Sequence, residues 1–188
     1  MHWLEAVRKY HPYNEQEAKD KELFLCYATR FDDILTRDNE LLHVTASACV
    51  INPARDKMLM VHHNIYKSWS WTGGHADGES DLLQVACREV QEETGVKVIR
   101  PVIPGVFSLD LLPVLAHYRR GRYVAPHLHL SLAYLLEVTE DQALVVKQDE
   151  NSAVRWIPLA EIGGCTGEPH MKKVYTKLME KVKALADG

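Results

Sequence analysis

Gly73-Gly74-His75-Ala76-Asp77-Gly78-Glu79-Ser80, followed after a short amphipathic run by Arg88-Glu89-Val90-Gln91-Glu92-Glu93-Thr94-Gly95-Val96, is the stretch on which the fold turns. Glycine pairs and Asp-Gly mark a turn, and Leu82–Thr94 then reads as a helix that Gly95 stops. At 100° per residue, Leu83, Ala86, Cys87 and Val90 share one stripe, the spacing of a core-facing side. Glu89, Glu92 and Glu93 stand at i, i+3 and i+4 on another face. Like-charged neighbours on a helix repel by roughly 0.2–0.5 kcal/mol per pair. Two readings meet that arrangement. One is a solvated acidic face with Arg88 paired to Glu92. The other is a site for a divalent cation, which cancels the repulsion; all-oxygen ligands favour Mg²⁺ or Mn²⁺. The glycine turn before the helix and the glycine stop after it favour the second.

Outward from this segment the grammar differs on the two sides. Before residue 43 the chain reads as helical: Trp3, Leu4, Val7 and Tyr10 recur at helical spacing, and Asn14 with Glu17 resembles a capping box opening a second helix. Phe31, Ile34 and Leu35 give a short third segment. From His43 strands take over, at His43–Ile51, Lys57–His62, Trp69–Trp71, Val96–Arg100, Val106–Tyr118, Tyr123–Val138 and Ala153–Ile157. A closing helix runs from about His170 to Ala186, with Val174, Leu178 and Val182 as its buried stripe. Strands on both sides of a mid-chain helix predict an α/β sandwich with a mixed sheet. The organisation expected is a helical extension over residues 1–42 and one domain over 43–188.

The whole run from Gly74 to Val96 resembles the Nudix box: Gly, five residues, Glu, seven residues, Arg-Glu, an apolar residue, any residue, Glu-Glu, any residue, Gly, apolar. Gly74, Arg88, Glu89, Val90, Glu92, Glu93, Gly95 and Val96 match in register. The resemblance implies a Nudix-type α/β/α sandwich and a metal-dependent hydrolase that splits a diphosphate linkage in a nucleoside diphosphate derivative, by water attack on phosphorus. It implies Glu89, Glu92 and Glu93 as metal ligands and catalytic residues. One position departs: Ser80 stands where the family has its first Glu, and the acid comes one residue early, at Glu79. In the family that Glu mainly braces the loop against the box Arg, so Glu79, Arg88, Gly74 and Gly95 are expected in structural roles. The family often adds a late-loop acid ahead of a Trp-bearing strand, and Glu150 (or its neighbour Asp149), ahead of Trp156, fits that place; an ordinary polar loop is the alternative. Two other functions share this fold, an isopentenyl-diphosphate-isomerase type and a non-catalytic ligand sensor. The intact box glutamates favour hydrolysis over both.

Substrate contacts are expected from Arg119 and Arg122, with Arg120 between them, and from His127 and His129, which alternate onto one face of a strand. A packed histidine pair is the competing reading. Trp71, with Trp69, is placed to stack a base or to pack against the core. His62, His63 and His75 are given no named role. The 188 residues, 46% hydrophobic and 26% charged, are those of a soluble globular chain. No apolar run reaches the roughly 18–20 residues of a membrane helix, so no membrane association is expected. The opening residues lack a secretory pattern. A net charge of −4 argues against dedicated nucleic-acid binding. The cysteines at 26, 49, 87 and 165 have no zinc-motif spacing and no disulfide framework, which predicts a cytoplasmic protein with Cys49 and Cys87 as small buried residues. The N-terminal helices are open to three roles: capping the sheet, forming a homodimer surface or shaping the substrate pocket.

Overall fold

The computed structural model describes residues 2–119 and 121–185. The chain begins with α1 (Trp3–Lys9), α2 (Glu15–Ala28), β1 (Leu42–Ile51), β2 (Lys57–His63), β3 (Ser68–Ser70) and β4 (Thr72–His75). After the helix α3 (Leu82–Thr94) come β5 (Arg100–Pro101), β6 (Ser108–Val114), β7 (His117–Arg119), β8 (Arg122–Val124), β9 (His127–Glu137) and β10 (Asn151–Pro158). A 3₁₀ turn, the short α4 (Ile162–Cys165) and α5 (Pro169–Ala184) complete it. The class is α/β, as expected. The sheet is mixed: β6 runs antiparallel to β9, whereas Leu128 N donates to Leu41 O and Val138 N to Ile51 O, so β1 and β9 run the same way.

Two compact units divide the chain. The first holds residues 1–47, 73–85 and 105–134. Here Asn14 caps α2 by accepting the Glu17 amide at 2.9 Å, the first half of the expected capping box. The Glu17 side chain goes elsewhere. It is fully buried and accepts from the Tyr13 amide at 2.8 Å and the Ser108 hydroxyl at 3.0 Å, with the Tyr10 hydroxyl also bonded to it. Burial and that carboxylate together push the Tyr10 phenol pKa up. A charged acceptor with several donors is a strong anchor, and this one pins α2 to β6. The third N-terminal segment is a succession of turns, not a helix. Val44 N instead takes the Ile34 carbonyl, which starts β1.

The second unit holds residues 48–72, 86–104 and 135–188. β2 lies between β3 and β10, antiparallel to both, and β1 continues into it through Ile51 opposite Met58. α5 buries Val174, Leu178 and Val182, as its periodicity predicts. The expected strand Val96–Arg100 is corrected to a two-residue strand at Arg100–Pro101. The Gln142 amide oxygen accepts the amides of Lys97 and Val98 at 2.9 and 3.0 Å, so a side chain satisfies the backbone that a neighbouring strand was expected to satisfy.

Candidate active site

The turn before α3 explains the glycine-rich sequence. Asp77 and Gly78 both have positive φ, 47° and 90°, and Glu79 N closes the turn on Ala76 O at 2.9 Å. That is the type I′ pattern, for which Asp-Gly is a preferred pair. Arg37 clamps the turn through two 2.8 Å bonds to the Asp77 carboxylate. One strand earlier, a Cβ at Gly73 would meet Ala46 O at 2.7 Å, so β4 approaches β1 more closely than any other residue allows. Glu79 belongs to the unit of this turn and Arg88 to the other.

α3 buries Leu82, Val85, Ala86 and Val90, while Leu83 and Cys87 are half-exposed. The core stripe is therefore rotated by about one residue from the expected one. The rotation matters because it carries Glu93 onto the buried side, at 5% exposure, and leaves Glu92 exposed. At the end of α3, Gly95 has φ +77°, and a Cβ there would meet the Val145 side chain at 2.7 Å. Val145 N donates to Thr94 O at 2.8 Å, tying the stretch before the late loop to the end of the helix.

That loop brings residues the sequence did not single out. Asn151 donates its Nδ2 to Glu93 Oε2 at 3.0 Å, and its own Oδ1 is buried without a partner. Lys147 Nζ lies 3.4 Å from Glu92 and 3.0 Å from Glu150. Glu150 and Glu92 thus share one lysine. Arg88 reaches Glu92 at 4.0 Å. Burial, then the Glu92 charge, raise the pKa of Glu89 against the pull of Lys147 and Arg88. Burial works to lower Lys147, but Glu150, Glu92 and Glu89 outweigh it and its pKa stands above the ordinary lysine value. Crowded carboxylates raise one another's pKa, and the lysine among them offsets part of that charge.

The donor set fits a hard divalent ion: carboxylate oxygens, an unsatisfied buried amide oxygen and a lysine already compensating the same charge. The three box carboxylates are not drawn to one point, since Asn151 holds Glu93 while Lys147 and Arg88 hold Glu92. Gathering them on one ion requires Glu92 to leave Lys147.

The other expected contacts lie as follows. Arg119 and Arg122 line a cleft of about 560 Å³ with Arg37 and Val124 in the first unit; Arg120 is outside the described residues. Trp71 is in the second unit, its ring edge-on to Tyr175 at 5.9 Å and its amide bonded to Tyr175 Oη at 3.0 Å. Trp69 packs differently, against His62 and under the Arg155 guanidinium at 4.4 Å. His127 and His129 do face the same way, with their Nε2 atoms 3.2 Å apart. They meet His43 and His75 in one cluster, with ring centroids about 5 Å apart. Burial first, then His43 and Arg37, hold the His75 pKa down to about 3. His129 and His43 are lowered for the same leading reason. None of the four cysteines forms a disulfide; Cys49 is buried and Cys87 half-exposed, which corrects the expectation for the latter.

A family model for the NUDIX domain matches residues 41–179. The rat asymmetrical bis(5'-nucleosyl)-tetraphosphatase is 31% identical over 103 residues, 54% of this chain and 59% of that enzyme. The chain thus spans about three fifths of that curated relative. Among solved structures, a C. elegans Ap4A hydrolase in a binary complex aligns with a TM-score of 0.53 at 16% identity, over 77% of this chain and 98% of the other. The NUDIX domain of Shewanella oneidensis NrtR, complexed with ADP ribose, aligns at 0.54 and 19% identity, over 85% and 96%. At such identities the two structures speak for the fold.

Proposed function

The chain belongs to the NUDIX family, and from that premise we propose that it hydrolyses a diphosphate linkage in a nucleoside diphosphate derivative, with dinucleoside polyphosphates as the first class to assay. One observation carries the reading: α3 presents Glu89, Glu92 and Glu93 while Lys147 pairs with both Glu92 and Glu150 and Asn151, at the start of β10, holds Glu93. The activity for which the rat relative is named supports the substrate class.

Glu89, Glu92 and Glu93 would hold Mg²⁺ or Mn²⁺, which when bound would neutralise the diphosphate and ease deprotonation of water. Glu150 accepts the proton of the attacking water, and Lys147 positions it. Asn151 orients Glu93. Arg119 and Arg122, joined by Arg37, take phosphate oxygens, and the half-exposed Trp71 offers an apolar face to a base. Glu79 keeps its place as a brace of the turn, with Gly74, Arg88 and Gly95 as the frame of the box. Residues 43–188 form the catalytic domain and residues 1–42 an extension anchored by Glu17. No helix among the described residues is long and apolar enough to cross a membrane, and four cysteines outside any disulfide suit a reducing cytoplasm.

The test is turnover of a panel of diphosphates with Mg²⁺ in ¹⁸O-water. A phosphate-bearing product carrying label is the expected result. An isomerised substrate of unchanged mass would assign the site to proton transfer, and tight binding without turnover would assign it to sensing; either overturns the proposal.

A further inference from the structure

We infer that His43, His75 and His129, with His127 beside them, form a second metal site, separate in chemistry from the carboxylate centre and suited to a borderline transition-metal dication of the Zn²⁺ class. The three side chains each offer a ring nitrogen, and these nitrogens all lie within 4.8 Å of one another. Among the described residues no other trio of histidine, cysteine or acidic side chains converges so closely. They arrive from three neighbouring strands, β1, β4 and β9, all within the first unit.

Two of the four rings, His43 and His127, carry their proton on the nitrogen turned away from the cluster. His43 Nδ1 is 3.0 Å from the Asn39 carbonyl, which only accepts, so Nδ1 carries the hydrogen and Nε2 is the bare nitrogen. That Nε2 is buried and has no hydrogen-bond partner. A buried acceptor left unsatisfied calls for an occupant. His127 repeats the arrangement, its Nδ1 bonded to the Ala125 carbonyl at 2.8 Å and its bare Nε2 accepting from the Nε2–H of His129, a proton that coordination moves to His129 Nδ1. Metal-bound imidazoles characteristically donate their second nitrogen to a carbonyl or carboxylate in this way. Two nitrogens on a tetrahedral zinc ion lie about 3.3 Å apart, close to the 3.2 Å between the Nε2 atoms of His127 and His129. An all-imidazole set discriminates against Mg²⁺ and favours zinc, cobalt, nickel or copper. In this role His127 and His129 act on the ion in place of direct phosphate contact. A cation here joins three strands at one point, which stabilises the first unit.

The site is tested on the whole chain, stripped with chelator and titrated with Zn²⁺ and separately with Co²⁺. The expected results are one Zn²⁺ retained per chain after gel filtration, the visible bands of tetrahedral Co²⁺ with nitrogen ligands, and a melting temperature that Zn²⁺ raises. These effects persist in Glu92→Gln/Glu93→Gln and disappear in His43→Gln/His129→Gln, with Zn²⁺ affinity weakened at least about a hundredfold. Should the double histidine variant not fold, His127→Gln and the ¹⁵N shifts of the four rings in the unaltered protein give the same decision. No retained zinc, an octahedral cobalt spectrum, ring shifts unmoved by Zn²⁺, or zinc lost with the glutamates and kept without the histidines overturns the assignment.

Discussion

Two glutamates sit almost fully buried on helices, one in each unit, and they are put to opposite use. Glu17 has no exposure, and its carboxylate meets an amide and two hydroxyls, one of which, that of Ser108, it shares with Asp110. Glu93 is 5% exposed and shares its helix with Glu89 and Glu92, an amide from Asn151 resting on one of its oxygens. A buried carboxylate ringed by donors is a fixture of the fold. One placed among other carboxylates costs energy that a cation relieves. Residue type and burial are the same, so the surroundings decide which is structural and which is chemical.

The sharpest way to break the comparison is at Glu93. Glu93→Gln abolishes Mg²⁺-dependent turnover and removes the Mg²⁺-induced rise in melting temperature, while the melting temperature without metal changes little. Steady-state assay and calorimetry check it, and chelation of the unaltered protein reproduces the same loss of turnover. Next is Glu17→Ala, which takes an acceptor from the Tyr13 amide and leaves the Tyr10 hydroxyl to the Phe107 carbonyl and the Ser108 hydroxyl to Asp110. It costs about 3 kcal/mol in denaturant unfolding, with Mg²⁺ still raising the melting temperature of the folded fraction. If Glu17→Ala silences the metal response and Glu93→Gln unfolds the chain, the contrast is reversed.

Glu150→Gln lowers kcat on the order of 10²-fold, the scale of a lost general base; a change under about threefold makes Glu150 an ordinary loop residue. Lys147→Gln acts in the other direction on binding. With its ammonium gone from beside Glu92 and Glu150, the metal concentration for half-maximal activity falls, by about fivefold for roughly 1 kcal/mol of released competition. Smallest is the turn: Glu79→Gln lowers kcat only about threefold and keeps the Mg²⁺ response, and Ser80→Glu gains little because the turn already closes at Glu79. A Glu79 variant as inactive as Glu93→Gln would make Glu79 a metal ligand.

What the sequence disclosed follows how local each signal is. α3, its glycine stop and the acids at i, i+3 and i+4 depend on one another within a few turns, and all were readable. Even there the buried stripe was off by a residue, because Leu82 and Val85 compete with Leu83 and Cys87 for the same 100° arc. Val96–Arg100 has a strand's composition, and only the distant Gln142 shows why it forms so little strand. Glu150 is proposed through resemblance, whereas Lys147 and Asn151, polar residues at the end of the loop and the start of β10, carry no sequence signal and are set against Glu92 and Glu93 only by the fold. The histidine cluster was half visible: the alternation of His127 and His129 put both on one face. His43 and His75 come from strands far away in the chain, and no periodicity connects them.

The parallel pairing of β1 with β9 sets a timetable for synthesis. Leu41 and Leu128 are bonded partners, so the ribosome must add the whole intervening chain before β1 receives that neighbour. At roughly 5–20 residues per second this interval is about 4–17 s. During it β1, with its long run of Val, Ala and Ile, has an open edge of the kind that recruits other chains. Translation stalled before β9 therefore releases a sticky fragment, and chaperone demand during expression should peak in that window.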